Sequence, residues 1–134
     1  MSAADAQRLT YTTARPWEAQ AGFARAVRVG PYAETSLCSP CGADGTVLFP
    51  GDVFRQTLVC IDLIKESLHA VGLALDDVVK TRIYLADPPL WAEAGRAHGT
   101  VFAKIRPALG FVYMSGFFAA GITVEVEAVA YRPD

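Results

Sequence analysis

Residues 52–85 read DVFRQTLVCIDLIKESLHAVGLALDDVVKTRIYL, a predicted helix followed by a predicted strand. Asp52 is a suitable N-cap, because its carboxylate can accept hydrogen bonds from the free amides of the first helical turn. Gly72 suits the position after the last turn, since glycine tolerates a positive φ. Apolar residues between these two recur at spacings of three and four, which places them on one helical face. They are Phe54, Leu58, Ile61, Ile64, Leu68 and Val71.

Extended segments are predicted on both sides of this helix. Gly30-Pro31 is a turn signal between two of them, which should pair as a hairpin. The last segment has a side-chain period of two, which is typical of a strand with one buried face. The predicted strands are Phe23–Val29, Tyr32–Cys38, Thr46–Phe49, Val78–Leu85, Leu109–Tyr113 and Ile122–Tyr131. A second helix is expected to open at Asp87-Pro88-Pro89 and to run to about Ile105, with Trp91, Ala94, His98 and Phe102 on its inner face.

The order of these elements favours an α+β fold, in which one mixed β-sheet carries two helices packed on one face. A chain of 134 residues can bury one core but not two, so residues 1–134 are expected to form a single domain. Residues 1–20 are expected to be an irregular N-terminal segment. The sheet face without helices carries apolar as well as charged side chains, so we expect a partner subunit to cover it.

Composition and charge exclude several classes of function. The net charge is −2 and the isoelectric point is about 5.6, so the chain lacks the basic excess that binds nucleic acid. No apolar run approaches the roughly 20 residues of a membrane span, and the N-terminus does not read as a secretory signal. Three cysteines, an odd number, indicate free thiols in a reducing cytoplasm. Cys38-x-x-Cys41 has no second pair to complete a zinc site, so no metal is expected.

Several short segments occur in a characteristic order and spacing. They are VRVG at Val27–Gly30, TS at Thr35-Ser36, QT at Gln56-Thr57, VGLALDDVVKTRIYLAD at Val71–Asp87, Val101-Phe102, RPA at Arg106–Ala108 and VEVEAVA at Val124–Ala130. With this set, the chain resembles the Rid proteins, also called the YjgF or reactive-intermediate deaminase family.

That resemblance implies a chorismate-mutase-like subunit and a homotrimer with binding clefts between its subunits. Family members with deaminase activity hydrolyse small enamines and imines, such as 2-aminoacrylate and its imine tautomer, to 2-keto acids and ammonia. They use neither a cofactor nor a metal. The resemblance therefore predicts a small-molecule ligand and no cofactor for this chain.

Two residues match catalytic positions of the family. Glu125 matches the first Glu of an E-x-E motif that positions or activates the hydrolytic water, and Ser36 matches the Ser of a TSG motif. A carboxyl group at a covered sheet face is partly desolvated, which raises its pKa towards values useful to a general base. The alternative for Glu125 is a structural carboxylate that forms hydrogen bonds at the subunit interface.

Other positions depart from the family pattern. Leu109 replaces the Arg that grips the substrate carboxylate, Phe23 replaces a Tyr, and Gly95 replaces an Asn. Arg106 could supply a substitute cation, or could be a solvated side chain at a helix C-terminus. Phe111 would help to make the pocket more apolar than a keto-acid site. Without the usual Arg, we predict no detectable acceleration of 2-iminopropanoate hydrolysis.

These observations leave two functions open. The first is a divergent enzyme that uses Glu125 and an ordered water on an imine, enamine or carbonyl compound, with Ser36 orienting the substrate. The second is a non-catalytic trimeric module that binds a metabolite or a protein. The acidic isoelectric point disfavours a ribonuclease. Two side hypotheses remain, namely a reactive thiol at Cys38 and a packed core histidine at His98.

Overall fold

The computed structural model describes residues 7–133. The elements, in chain order, are β1 (Arg8–Tyr11), α1 (Pro16–Ala21), β2 (Ala26–Val29), β3 (Tyr32–Thr35), α2 (Val53–Ala70), β4 (Val78–Leu85), α3 (Trp91–Phe102), β5 (Ala108–Tyr113) and β6 (Val124–Tyr131). No helix in this described range is long and apolar enough to cross a membrane.

The strands form one mixed sheet in the order β1-β2-β3-β6-β4-β5. β4 and β5 are parallel, because α3 connects them as a crossover, and the other neighbouring strands are antiparallel. Helices α2 and α3 pack against each other, and α2 also packs on β6 and β3. The predicted α+β fold, a mixed sheet with two helices on one face, is confirmed.

Helix α2 begins and ends where its capping residues predict. Asp52 Oδ1 accepts a hydrogen bond from the amide of Arg55 at 3.0 Å, and Gly72, beyond the helix, adopts a φ of +81°. The aliphatic side chains of its inner face are fully buried, and each contributes about 1.5–3 kcal/mol to stability. They include Ile61, Ile64 and Leu68.

The buried face of α2 differs from the predicted apolar stripe in its first two turns. Gln56 and Thr57 are fully buried, whereas Phe54 is only half-buried. The Arg96 guanidinium lies over the Phe54 ring, with its Cζ 4.2 Å from the ring centroid, and holds that side chain at the edge. Buried polar side chains need hydrogen-bond partners, and the Thr57 hydroxyl donates to the carbonyl of Val53 at 2.7 Å.

The N-terminal part of the chain is more ordered than predicted. β1 pairs antiparallel with β2, and α1 follows it. The buried Glu18 carboxylate accepts hydrogen bonds from the amide and the hydroxyl of Thr13, at 2.7 and 2.5 Å. The expectation of an irregular segment over residues 1–20 is therefore wrong from residue 8 onwards, because elements of four and six residues are too short to show a periodic pattern. Residues 1–6 lie outside the described part.

The second helix is shorter than predicted. It begins at Trp91, which is 56 % exposed and touches Phe111 edge-on, and it ends before Ile105. His98 is buried as expected, and its Nε2 lies 2.8 Å from the hydroxyl oxygen of Thr81. Burial lowers the pKa of His98, so the ring is neutral near pH 7.

Two short-range predictions around the first strands have different outcomes. β2 and β3 pair as the antiparallel hairpin expected at Gly30-Pro31. Thr46–Phe49 forms no strand, because Val47 makes only an isolated bridge with Cys41.

The sheet face opposite the helices is largely open to solvent in the protomer, although Glu125 on this face is buried. On this face, the register places Tyr84 beside Glu125 and Arg82 beside Glu127. Glu127 Oε1 accepts hydrogen bonds from Arg82 Nη1 at 2.9 Å and from Tyr84 Oη at 2.7 Å. Polar groups therefore join the strands across a face on which Tyr131 is also exposed.

Candidate functional site

A cavity of about 410 Å³ lies beside the N-terminal part of the chain. Its walls come from the α1 segment, the chain before β2 and the loop after β3, with one side chain from α2 and one from the loop between β5 and β6. The volume lies within the range of small-molecule sites. Most of the lining is aromatic or aliphatic, and these side chains include Trp17, Phe23, Leu37, Leu63 and Phe118.

Glu125 is a buried carboxyl group connected to this cavity. It lies on β6, is 6 % exposed, and accepts a hydrogen bond at Oε2 from the hydroxyl of Ser39 at 2.6 Å. Ser39 itself lines the cavity. Burial raises the pKa of Glu125, and the hydrogen bond from Ser39 opposes this increase. A carboxyl group with a raised pKa is a better base towards water than an exposed one.

A side chain of α2 determines where the strand that carries Glu125 begins. The Nε2 of Gln56 donates hydrogen bonds to the carbonyls of Leu48 at 3.0 Å and Gly121 at 2.8 Å. Its Oε1 accepts hydrogen bonds from the amide and the hydroxyl of Thr123, at 2.9 and 2.7 Å. Thr123 comes two residues before Glu125, so this network positions the start of β6.

The serine that contacts Glu125 is Ser39, whereas Ser36, the serine predicted to orient the substrate, forms a different hydrogen bond. The Ser36 hydroxyl donates to the carbonyl of Ala24 at 2.6 Å, which holds the chain before β2. The backbone of Cys38 makes two hydrogen bonds with β6, of 2.7 and 3.1 Å, and this bridge brings the next residue beside the carboxyl group. No sequence motif indicates Ser39, because its contact joins residues 86 positions apart.

Two arginines that the sequence analysis did not single out also line the cavity. Arg25 is 8 % exposed, its Nη2 donates to the Sγ of Cys38 at 3.6 Å, and its Cζ lies 5.9 Å from the centroid of the Phe23 ring. Arg15 donates from Nη1 to the hydroxyl of Thr13 at 3.5 Å. These side chains bring positive charge to a wall that is otherwise mostly apolar.

The residues predicted to bind substrate do not all meet within one protomer. Phe23 lines the cavity. Leu109 on β5 packs against the core, and a Cβ at Gly95 on α3 would lie 3.7 Å from the ring of Phe111. Arg106 is exposed after α3, with a φ of +56°. Apart from Phe23, none of these residues lines the cavity within the described range.

The cysteines are buried free thiols. Burial raises the pKa of Cys38 to about 11, although the nearby Arg25 opposes the increase. The Cys38 thiol is therefore protonated at neutral pH and unsuited to nucleophilic chemistry, so the hypothesis of a reactive thiol there is wrong. Among residues 7–133, no group of three His, Cys, Asp or Glu side chains could hold a metal ion.

Residues 12–132 match the family model described as Endoribonuclease L-PSP. An uncharacterised protein of Streptomyces coelicolor is 34 % identical over 118 residues, which cover 87 % of this chain and 87 % of its own length.

Solved structures share this fold. Rv2704 of Mycobacterium tuberculosis, a member of the YjgF/YER057c/UK114 family, is 34 % identical and superposes with a TM-score of 0.84 over 94 % of this chain and 100 % of its own. Escherichia coli TdcF, solved with bound serine, is 21 % identical, with a TM-score of 0.75 over 92 % of this chain and 94 % of its own. At that identity, the likeness to TdcF concerns the fold alone.

Proposed function

The chain belongs to the endoribonuclease L-PSP family, and from this premise we propose that it binds a small metabolite and hydrolyses an imine, enamine or related carbonyl compound. One observation carries the proposal. Glu125 is a buried carboxyl group with a raised pKa, and Ser39 connects it to a cavity large enough for a metabolite. These are the features that a general base for water requires.

In the proposed reaction, a water oxygen bonds to the imine carbon. Glu125 relays the two protons of this water, one after the other, to the imine nitrogen. The C–N bond then breaks, so that ammonia leaves and a carbonyl compound remains. Ser39 holds the carboxyl group in place, and Ser36 positions the cavity wall through its hydrogen bond to Ala24.

We also propose that three copies assemble with the ligand clefts between them. The exposed sheet face supports this assembly, because a neighbouring copy would cover it. Leu109, Phe111 and Gly95 do not line the cavity of their own protomer, and in the proposed assembly they would line the cavity of a neighbouring copy. Sedimentation equilibrium should give three times the chain mass of 14.4 kDa, and a stable monomer would contradict the assembly.

The proposed ligand is a small metabolite rather than RNA, in spite of the family's description. A net charge of −2 gives the chain no excess of cations to neutralise phosphates. We place the reaction in a reducing cytoplasm, an inference that rests on the odd number of cysteines.

The test is imine hydrolysis by two matched variants. Glu125→Gln removes the base and should lower turnover by about 10²- to 10⁴-fold, the usual contribution of a positioned general base. Asp52→Asn changes a solvent-exposed carboxylate at the start of α2 to a residue that also caps helices, and should leave turnover within about threefold. Equal activity in the Glu125 variant and the wild type would exclude the proposed mechanism.

A non-catalytic binding module is the second candidate. The feature that favours it is the presence of Phe23, Leu109 and Gly95 at three positions where the resemblance implies polar side chains. Tight binding of carbonyl compounds without turnover of any imine, in the wild type and in Glu125→Gln alike, would establish this alternative.

A further inference from the structure

Arg25 is a buried cation that lines the cavity and forms no ion pair. Its side chain is 8 % exposed, and its Nη2 donates a hydrogen bond to the Sγ of Cys38 at 3.6 Å. A thiol sulfur is a weak acceptor. None of the ion pairs among residues 7–133 includes it. The buried carboxylates among residues 7–133 have other hydrogen-bond partners, since Ser39 donates to Glu125 and Thr13 donates to Glu18.

A buried guanidinium without an anion is unfavourable, because burial removes most of its hydration. The cost falls when a carboxylate binds, since the planar fork of Arg matches two carboxylate oxygens. Arg15 adds a second positive charge to the same wall. Burial raises the pKa of the Cys38 thiol, and both positive charges oppose this increase, so both act on the same region.

The remaining residues of the cavity wall favour an apolar group on the part of the ligand that does not contact Arg25. Trp17, Phe23 and Phe118 supply aromatic surface, and Leu37 and Leu63 supply aliphatic surface. A ligand whose only apolar group is one methyl would leave most of about 410 Å³ unfilled. A ligand with a ring would bury it against these side chains, where each aromatic pair adds about 0.5–1.5 kcal/mol beyond the area buried.

We propose that Arg25 is the carboxylate anchor of this cavity and that its ligand is a carboxylic acid with an aromatic side chain. The inference rests on the proposed function only in assuming that the ligand occupies this cavity. With Arg25 in this role, the chain would bind an anion although Leu109 stands where the resemblance implies an Arg.

The test is calorimetric titration of the full-length protein with three probes. Phenylpyruvate has the ring and the carboxylate, pyruvate lacks the ring, and benzyl methyl ketone lacks the carboxylate. Wild-type protein should bind phenylpyruvate most tightly. Arg25→Met should weaken phenylpyruvate binding by about 10- to 100-fold and leave the binding of benzyl methyl ketone unchanged.

Two further variants keep the test decisive. Arg25→Lys retains the charge but loses the planar fork, so it should weaken phenylpyruvate binding less than Arg25→Met, and it replaces that variant if the latter does not fold. Arg55→Met removes an exposed arginine on α2 and should leave all three affinities unchanged. Unchanged phenylpyruvate affinity in both Arg25 variants, or equal affinity of the wild type for pyruvate and phenylpyruvate, would overturn the inference.

The outcome is separable from the proposed function. Arg25-dependent binding of phenylpyruvate without hydrolysis of any imine would retain the anchor and reject the hydrolase. Glu125-dependent hydrolysis, together with ligand binding that does not change in the Arg25 variants, would retain the hydrolase and reject the anchor.

Discussion

Replacing Ser39 by alanine tests the connection between the cavity wall and the buried carboxyl group. In the protein, Ser39 Oγ lies 2.6 Å from Glu125 Oε2, and the Glu125 side chain is almost fully buried. A hydrogen bond to a charged group contributes about 1.5–3 kcal/mol. In a domain of this size, 1 kcal/mol corresponds to about 3–5 °C in Tm. We therefore expect Ser39→Ala to lower the Tm by about 5–15 °C at pH 8.

The loss of stability in Ser39→Ala should increase as the pH rises. Burial raises the folded-state pKa of Glu125, so its contribution to stability is complete below the unfolded-state pKa and is lost as the pH rises through the folded-state pKa. The bond from Ser39 favours the ionised carboxylate and reduces that loss. Ser39→Ala should raise the pKa of Glu125 further, so the variant is most destabilised at alkaline pH and least destabilised in acid.

Ser36→Ala is the matched control. It removes an equally short hydrogen bond, but the acceptor is the neutral carbonyl of Ala24, so its cost should be about 0.5–1.5 kcal/mol at every pH. Thermal unfolding followed by circular dichroism between pH 4.5 and 8.5, at one protein concentration, compares the two variants. Parallel curves of Tm against pH for Ser39→Ala and Ser36→Ala would refute the reasoning.

Three other changes have distinct expected outcomes. Glu125→Gln should unfold at a higher temperature than the wild type at pH 8, with a difference that vanishes towards pH 4, because the variant has no buried carboxylate to ionise; a constant difference would argue against a raised pKa. Leu109→Arg should gain measurable 2-iminopropanoate hydrolysis while Leu109→Met does not, and no gain would remove position 109 from the cleft. Gln56→Leu should cost about 3–5 kcal/mol in urea unfolding, since three backbone groups lose their partner; a cost below about 1 kcal/mol would contradict that role.

Much of the fold follows from local patterns in the chain. The helix after Asp52, the strand at Val78–Leu85 and the last strand carry long periodic signals with capping or turn residues at their ends, and all three are present. The short elements at residues 8–21 carry no such signal, because their stability depends on pairing with β2 and on the Glu18–Thr13 hydrogen bonds.

The candidate site is less predictable than the fold. Glu125 is identifiable from a motif on one strand, and the structure connects it to the cavity. Ser39 and Arg25 are not identifiable in this way, because the bridge between Cys38 and β6 and the burial of the Arg25 side chain are tertiary features. The proposed contribution of Leu109, Phe111 and Gly95 to the cavity of a neighbouring copy can be seen neither in a local sequence pattern nor in a single protomer.

The Arg82–Glu127 pair on the open sheet face restricts which chains could dock on that face. Any copy that docks there must accept a cation and an anion held 2.9 Å apart, together with the hydroxyl of Tyr84. A different chain without matching polar groups would desolvate both charges and form no compensating hydrogen bonds, so its binding would be unfavourable. If the proposed assembly forms on this face, we expect the pair to disfavour mixed assemblies with related chains that lack matching groups.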